Sequence, residues 1–356
     1  MSHFTPDFVI QYAGLRVRFG AGMRNRIAEE VERLGHARAL VLSTPEQADA
    51  ARHVAETLGP RSAGVFAGAV MHTPVAVTQT ALAHAETVGA DCLVAIGGGS
   101  TIGLGKAIAL RSGLDQIVVP TTYAGSEATP ILGQTENGIK TTLIDPATQP
   151  EIVLYDPELV ATLPVPLTVS SALNAMAHAA EGLYAQNRNP LSSLMAEEGL
   201  RAFADALERV VANPGDLDAR SETLYGAWLC GTVLGQVGMA LHHKLCHTLG
   251  GSFDLPHAQT HAVILPHAIG FNAGAAADEL AVVGAIFGDD HPGRALYRFA
   301  ERIGAPLSLR ALGLAEADLD RAAEIATAKP YWNPRPVTRA DIRALLQAAW
   351  EGRAPA

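Results

Sequence analysis

Apolar positions change their period along the chain. Up to about residue 156, short β-branched or apolar runs alternate with longer amphipathic ones. "RALVLST" is followed by "PEQADAARHVAETLG", which stops at a glycine, and "DCLVAIGGGS" runs from an apolar strand into three glycines. "DQIVVPTT" and "EIVLYDP" supply further strands. This alternation predicts a parallel sheet covered by helices. Beyond Asp156 and Pro157 the text becomes long Ala- and Leu-rich helical stretches such as "SSLMAEEGLRAFADALERVV" and "ETLYGAWLCGTVLGQVGMALHHKLCHTLGG". Turn formers break these at "ANPGD", "LPHAQ", "GDDHPG" and "KPYWNPRP". The pattern therefore predicts an α/β domain over residues 1–156 and an all-α domain over residues 157–356.

Composition fits two buried cores: the chain has 356 residues, 48% of them hydrophobic. A net charge of -10 with no basic stripe argues against nucleic acid as a partner. "MSHFTPDFVIQYAG" lacks the charged start and apolar core of a secretory leader, and no apolar run long enough for a membrane span follows, so a soluble, cytoplasmic protein is expected. Cys92, Cys230 and Cys246 are widely spaced, the arrangement of buried thiols in a reducing compartment.

Two places carry candidate chemistry. In "VAIGGGSTIGLGKAIAL", Gly97, Gly98, Gly99 and Ser100 lie between a strand and a helix, where bare backbone N–H groups and the helix N-terminus suit a pyrophosphate. The spacing is not the G-x-G-x-x-G fingerprint. Thr121 and Thr122 close the next strand in "VVPTTYAGSEATP", where open parallel sheets bind ligands and hydroxyls reach a ribose or a nicotinamide amide.

The second place is rich in histidine. Seven of the thirteen histidines fall between residues 178 and 267: His178, His242, His243, His247, His257, His261 and His267. In "SALNAMAHAAEG", Asn174 and His178 stand four apart on one helix face, where a carboxylate and an imidazole would form half of a divalent-metal site. Here the first is an amide. His243 and His247 share a helix face in "ALHHKLCHTLGG", and His257 follows after a break. His242, His261 and His267 read as core imidazoles.

The order GGGS, PTT with GSE, N-A-M-A-H, H-x-x-x-H-x-L-G and P-H resembles the iron-containing alcohol dehydrogenases across nearly the whole chain. The resemblance implies a dehydroquinate synthase-like fold, an α/β dinucleotide-binding domain followed by a helical catalytic domain, working as a homodimer. It also implies that Asn174, His178, His243 and His257 occupy the positions at which that family's Asp and three His hold Fe²⁺ or Zn²⁺, with His247 near the substrate. Three departures, Gly103 for an Asp, Tyr123 in "YAGSE" and Asn174 for the ligand Asp, are similar to a metal-independent branch that reduces the C=C bond of an unsaturated oxo-dicarboxylate.

Under that resemblance no metal is expected and NADH or NADPH is the cofactor, because Ser43 and Thr44 stand where NAD-selective relatives carry an acid. Lys106 and Lys140 match positions near the cofactor. His243 and His247 would face the ketone or deliver the proton, with His178 and His257 orienting, and the choice of acid stays open. Tyr123 and Asn174 would line the substrate, and Lys244, Arg335 and His72 are candidate partners for its carboxylates. Two other readings remain: a metal-dependent alcohol or polyol dehydrogenase that tolerates Asn174, and a non-catalytic nucleotide-binding protein that keeps the fold.

Overall fold

The computed structural model describes residues 14–136 and 138–355, and the side chains of Ile139 and Lys140 lie outside that description. The chain forms two compact units, the first ending at Leu163 and the second beginning at Pro164.

Among the described residues the first unit holds eight strands: β1 (Arg16–Phe19), β2 (Ala39–Leu42), β3 (Ser62–Phe66), β4 (Cys92–Gly97), β5 (Asp115–Pro120), β6 (Ile131–Glu136), β7 (Ile139–Ile144) and β8 (Ile152–Tyr155). Six of them form a parallel sheet in the order β1-β8-β5-β4-β2-β3, and β6 pairs with β7 as an antiparallel hairpin. Alternate residues face opposite helical layers. Val41, Val94, Ile96 and Leu154 pack with Ile27, Val31, Val54 and Leu58, whereas Leu40, Leu42 and Leu93 pack with Ala81, Leu104 and Ile108. Burial on both faces explains why the central strands read as continuous apolar runs.

After β3 the chain returns past β2 to form β4, so strand order reverses there. The carboxyl ends of β2 and β4 flank the place where an open parallel sheet receives its ligand. The unit continues a few residues past Asp156 because that carboxylate holds the next turn to the sheet. It accepts from the backbone N–H groups of Gly22 and Arg24 (both 3.1 Å), pairs with the Arg24 guanidinium (2.9 Å) and caps Glu158 (3.1 Å).

The second unit is helical. Its central helix, Val165–Gly182, is buried along most of its length, which explains the absence of an amphipathic stripe in "SALNAMAHAAEG". Around it lie Pro190–Ala212, Leu217–Gln236, Leu241–Phe253 and His257–Asn272, with further helices to Glu351. Pro190–Ala212 and Leu217–Gln236 cross closely at glycines: a Cβ on Gly226 would sit 3.1 Å from the Gly199 carbonyl oxygen. The three cysteines are buried free thiols, and among the described residues no single helix is long and apolar enough to cross a membrane.

His267 makes the helical unit acid-sensitive. Its ring is buried edge-on to Tyr297, and Nε2 has no partner among the described residues. Burial, and then the charge of Arg353, push its pKa down to about 4. The unfolded chain binds this proton below its ordinary value of about 6.5, so the stability is fully present above that pH and is lost as pH falls towards the folded value. By pH 5 this one group should cost about 2 kcal/mol. Urea titrations at neutral and acidic pH should show that loss in the wild type and a smaller one in His267→Gln; equal losses would remove His267 as a source.

Candidate active site

In the first unit three strand ends are tied together. The Gly97 carbonyl accepts from the Thr121 N–H at 3.0 Å, and Gln47, just beyond β2, donates through Nε2 to the Thr121 hydroxyl at 2.8 Å. Gly98 caps the helix Gly99–Ser112, with Ser100 in its first turn. Two of the glycines are closely packed: a Cβ on Gly97 would lie 2.4 Å from Thr101 Oγ1, and one on Gly98 would lie 2.8 Å from Thr122 Cγ2, whereas one on Gly99 would meet nothing within 4 Å. A loop of bare backbone at a helix N-terminus, beside two threonines, fits the pyrophosphate and ribose of a dinucleotide. Gln47 carried no motif to single it out in the sequence.

Several expected ligand contacts are corrected by burial. Ser43 is fully buried and its hydroxyl donates to the Thr44 carbonyl, so only Thr44 is partly exposed at the end of β2. Lys106 is 1% exposed, and its ammonium lies against the carbonyl oxygens of Ser126 (2.6 Å), Thr129 (2.6 Å) and Ile131 (2.9 Å) and the Thr129 hydroxyl (3.0 Å). Burial pushes its pKa down to about 7, with Glu127 opposing that shift. Four oxygen acceptors around one nitrogen nevertheless suit an ammonium with three hydrogens. Lys106 therefore shapes the loop after β5 from inside.

Tyr123 is likewise wholly buried and shapes that loop rather than presenting a surface. His72 is partly exposed in a strained turn, where it and Thr73 both have positive φ (65° and 44°). The turn also explains Gly103: a Cβ there would stand 2.4 Å from Thr73 Oγ1, so the glycine makes room for the threonine. Lys140 lies in β7, and its side chain is outside the described residues.

In the second unit the predicted histidines do converge. Asn174 and His178, from Val165–Gly182, are buried, as is His243 from Leu241–Phe253; His247 and His257 are exposed. Ring centroids lie 5.2 Å apart for His178 and His243 and 6.1 Å apart for His243 and His247. His261 joins them, 4.3 Å from His257 and 5.2 Å from His243. Burial, reinforced by the neighbouring imidazoles, holds His178 well below the ordinary imidazole range, so its ring is neutral near pH 7.

Glu181 was missed by the motif reading. It is fully buried one turn after His178, and its carboxylate accepts from His243 Nδ1 at 2.7 Å and from the N–H groups of His242 (2.7 Å) and Ala240 (3.1 Å). The available signal was a lone carboxylate in a helix of small apolar residues, since a buried charge needs partners. Behind it, Tyr184 lies 3.4 Å from Glu181 and accepts from Asn272 at 3.2 Å, and Asn272 exchanges two amide hydrogen bonds with Asn333.

Asn333 pins the segment "YWNPRP", which corrects the expectation for Arg335. That guanidinium stacks on Phe271 at 4.1 Å, donates to the Phe271 carbonyl and pairs with Asp341, so it clamps the segment instead of waiting for a carboxylate. Lys244 is partly exposed, with its ammonium 5.8 Å from the centre of the Tyr331 ring. The Tyr331 hydroxyl is buried without a hydrogen-bond partner among the described residues, and burial raises its pKa to about 12.

Where the resemblance implies a metal, the donors present fit a divalent ion poorly. Asn174 and three imidazoles bring no formal charge, and Glu181 is turned to backbone N–H groups and to the far side of His243. His242, Cys246 and His261 also lie close enough to suggest a metal. However, His242 Nε2 and His261 Nδ1 are hydrogen-bonded at 2.9 Å, closer than the roughly 3.3 Å between two imidazole ligands on one tetrahedral zinc. Burial also raises the Cys246 thiol well above its ordinary range. This trio is core.

The fold agrees with the family matches. Residues 15–157 match the iron-containing alcohol dehydrogenase model, and residues 168–350 match the C-terminal model of the Fe-containing alcohol dehydrogenase family. The chain belongs to the iron-containing alcohol dehydrogenase family. It is 60% identical to maleylacetate reductase of Rhizobium sp. (strain MTP-10005), over 98% of this chain and 99% of that one, and 55% identical to the Burkholderia cepacia enzyme over 96% and 97%. The crystal structure of maleylacetate reductase from Agrobacterium tumefaciens superposes with a TM-score of 0.97 at 59% identity, covering 99% of this chain and all of that one. Within the family, the chain groups with the maleylacetate reductases.

Two substitutions test the first unit's site. Gly98→Val forces the Thr122 side chain away, and NADH affinity measured by fluorescence titration should fall at least about tenfold; unchanged affinity would give the loop another role. Lys106→Met leaves three carbonyls without their donor and should lower unfolding stability by about 3 kcal/mol. A stability within experimental error of the wild type would show that the ammonium does not hold the loop.

Proposed function

We propose that this enzyme reduces maleylacetate to 3-oxoadipate without a metal ion, using the Glu181-anchored histidine cluster in its place. The observation that carries this reading is the donor set: an amide and neutral imidazoles where metal-dependent relatives place a carboxylate ligand. Reducing a carbonyl to an alcohol concentrates charge on one oxygen, for which a Lewis acid is suited. Maleylacetate offers a softer route because its ketone is conjugated with a C=C bond.

Bound NADH or NADPH supplies a hydride to the alkene carbon β to the ketone. The π electrons move into an enolate, and a proton added at the α carbon completes the C–H bond and restores the ketone. His243 and His247 hydrogen-bond the developing enolate oxygen or deliver that proton, while His178, His257 and Asn174 orient the substrate. Preorganised hydrogen-bond donors suffice because the enolate spreads its charge over oxygen and carbon. Lys244 and the Tyr331 hydroxyl are suited to a substrate carboxylate, and His72 is a further candidate.

Acceptance of both cofactors is supported by hydroxyls instead of an acid at Ser43 and Thr44, with the carboxylate of Glu46, two residues on, hydrogen-bonded to the Thr44 side chain. The family resemblance further supports a cytoplasmic homodimer acting in the breakdown of aromatic compounds.

Chelator-treated protein, its metal content checked, should oxidise NADH with maleylacetate and leave short aldehydes unchanged. Asn174→Asp should bind Zn²⁺ more tightly without faster enone reduction. Turnover that appears only after Zn²⁺ or Fe²⁺ is restored would replace this reading with a metal-dependent dehydrogenase.

A further inference from the structure

We infer that Glu181 is a positioning residue: by holding the Nδ1–H of His243 it fixes the imidazole's tautomer and plane and leaves Nε2 as the nitrogen that takes a proton from solvent and, from the resulting imidazolium, passes it to the α carbon of the enolate. The inference rests on the enone-reductase reading of this site, and its first readout is independent of turnover.

Both carboxylate oxygens of Glu181 are engaged. Oε1 accepts from the His242 N–H at 2.7 Å, and Oε2 accepts from the Ala240 N–H at 3.1 Å, the His243 N–H at 3.4 Å and His243 Nδ1 at 2.7 Å. The backbone groups belong to the start of the helix Leu241–Phe253, whose first N–H groups have no partner within the helix. They cannot reverse their polarity. A buried carboxylate surrounded by such donors is an acceptor on every side, so the ring nitrogen facing it must carry the hydrogen.

The opposite nitrogen is then defined. His243 Nε2 is buried and has no hydrogen-bond partner among the described residues, and the ring stands between those of His178 and His247. The same carboxylate thus places the helix and orients the imidazole that the helix carries. Tyr184, Asn272 and Asn333 brace it from behind, linking this orientation to the "YWNPRP" segment. A carboxylate holding a catalytic imidazole in one tautomer is the role of the acid in the Ser-His-Asp triad, where an amide replacement preserves geometry but selects the wrong tautomer.

Glu181→Gln separates this role from helix capping. The amide keeps the shape, but its NH₂ group must face donors on either side; the Oε1 side holds the His242 N–H at 2.7 Å beside the Tyr184 hydroxyl at 3.4 Å, and on the Oε2 side the partner able to change polarity is His243 Nδ1. NMR of protein labelled with ¹⁵N-histidine in mildly alkaline buffer, with the His243 signal assigned by its loss in His243→Ala, should show the Nδ1–H tautomer in the wild type and Nε2–H in Glu181→Gln. The variant's kcat with maleylacetate should fall by about 100-fold or more while KM for NADH stays within about threefold.

A folded Glu181→Gln enzyme with wild-type kcat, or one that loses only thermal stability, would reduce Glu181 to a helix cap and overturn the inference. If the variant does not fold, the wild-type spectrum still decides, because an Nε2–H tautomer there contradicts it. Wild-type protein that shows the Nδ1–H tautomer but fails to reduce maleylacetate would overturn the proposed function and leave the positioning geometry standing.

Discussion

The helical unit is organised around one buried carboxylate. Glu181 lies on the central helix Val165–Gly182 and accepts from the first N–H groups of Leu241–Phe253, so two helices that carry site residues are joined through a single charged group. Isolated in an apolar interior, that charge would be prohibitively costly. Backbone donors at a helix N-terminus and an imidazole N–H compensate it. The compensation is directional, which is why the carboxylate can orient His243 as well as attract it.

This arrangement places negative charge behind an imidazole. Asn174 brings a neutral amide to the cluster, and His178 is held neutral by burial. The resulting site is rich in hydrogen-bonding groups and poor in formal charge. It matches a reaction in which charge spreads through a conjugated ketone better than one that concentrates it on an alkoxide.

Much of this was legible in the sequence because period and glycine content report backbone geometry directly. The continuous apolar strands, the Gly97–Gly99 loop and the shared helix face of His243 and His247 follow from spacing, whereas grouping His178 and His257 with them came from the family resemblance. What was not legible depends on which way a side chain turns. Lys106 reads as a cofactor contact until its ammonium is found among three carbonyls, and Arg335 reads as a carboxylate partner until it is seen stacked on Phe271. Glu181 and Gln47 escaped for the opposite reason: their partners are backbone groups or a hydroxyl far away in the sequence, and no spacing rule records them. Gly103 was visible as a departure, but its reason, room for Thr73 in a strained turn, required the fold.

The central claim is that a metal-free histidine site directs hydride to an alkene carbon. It is tested most directly by turning over maleylacetate with NADH carrying deuterium at C4, using protein shown to be free of bound metal, and locating the label by NMR. Deuterium on the carbon β to the ketone in 3-oxoadipate, with the ketone intact, is the predicted result. Deuterium on a newly formed carbinol carbon, or label transfer only when a divalent metal is present, would contradict it.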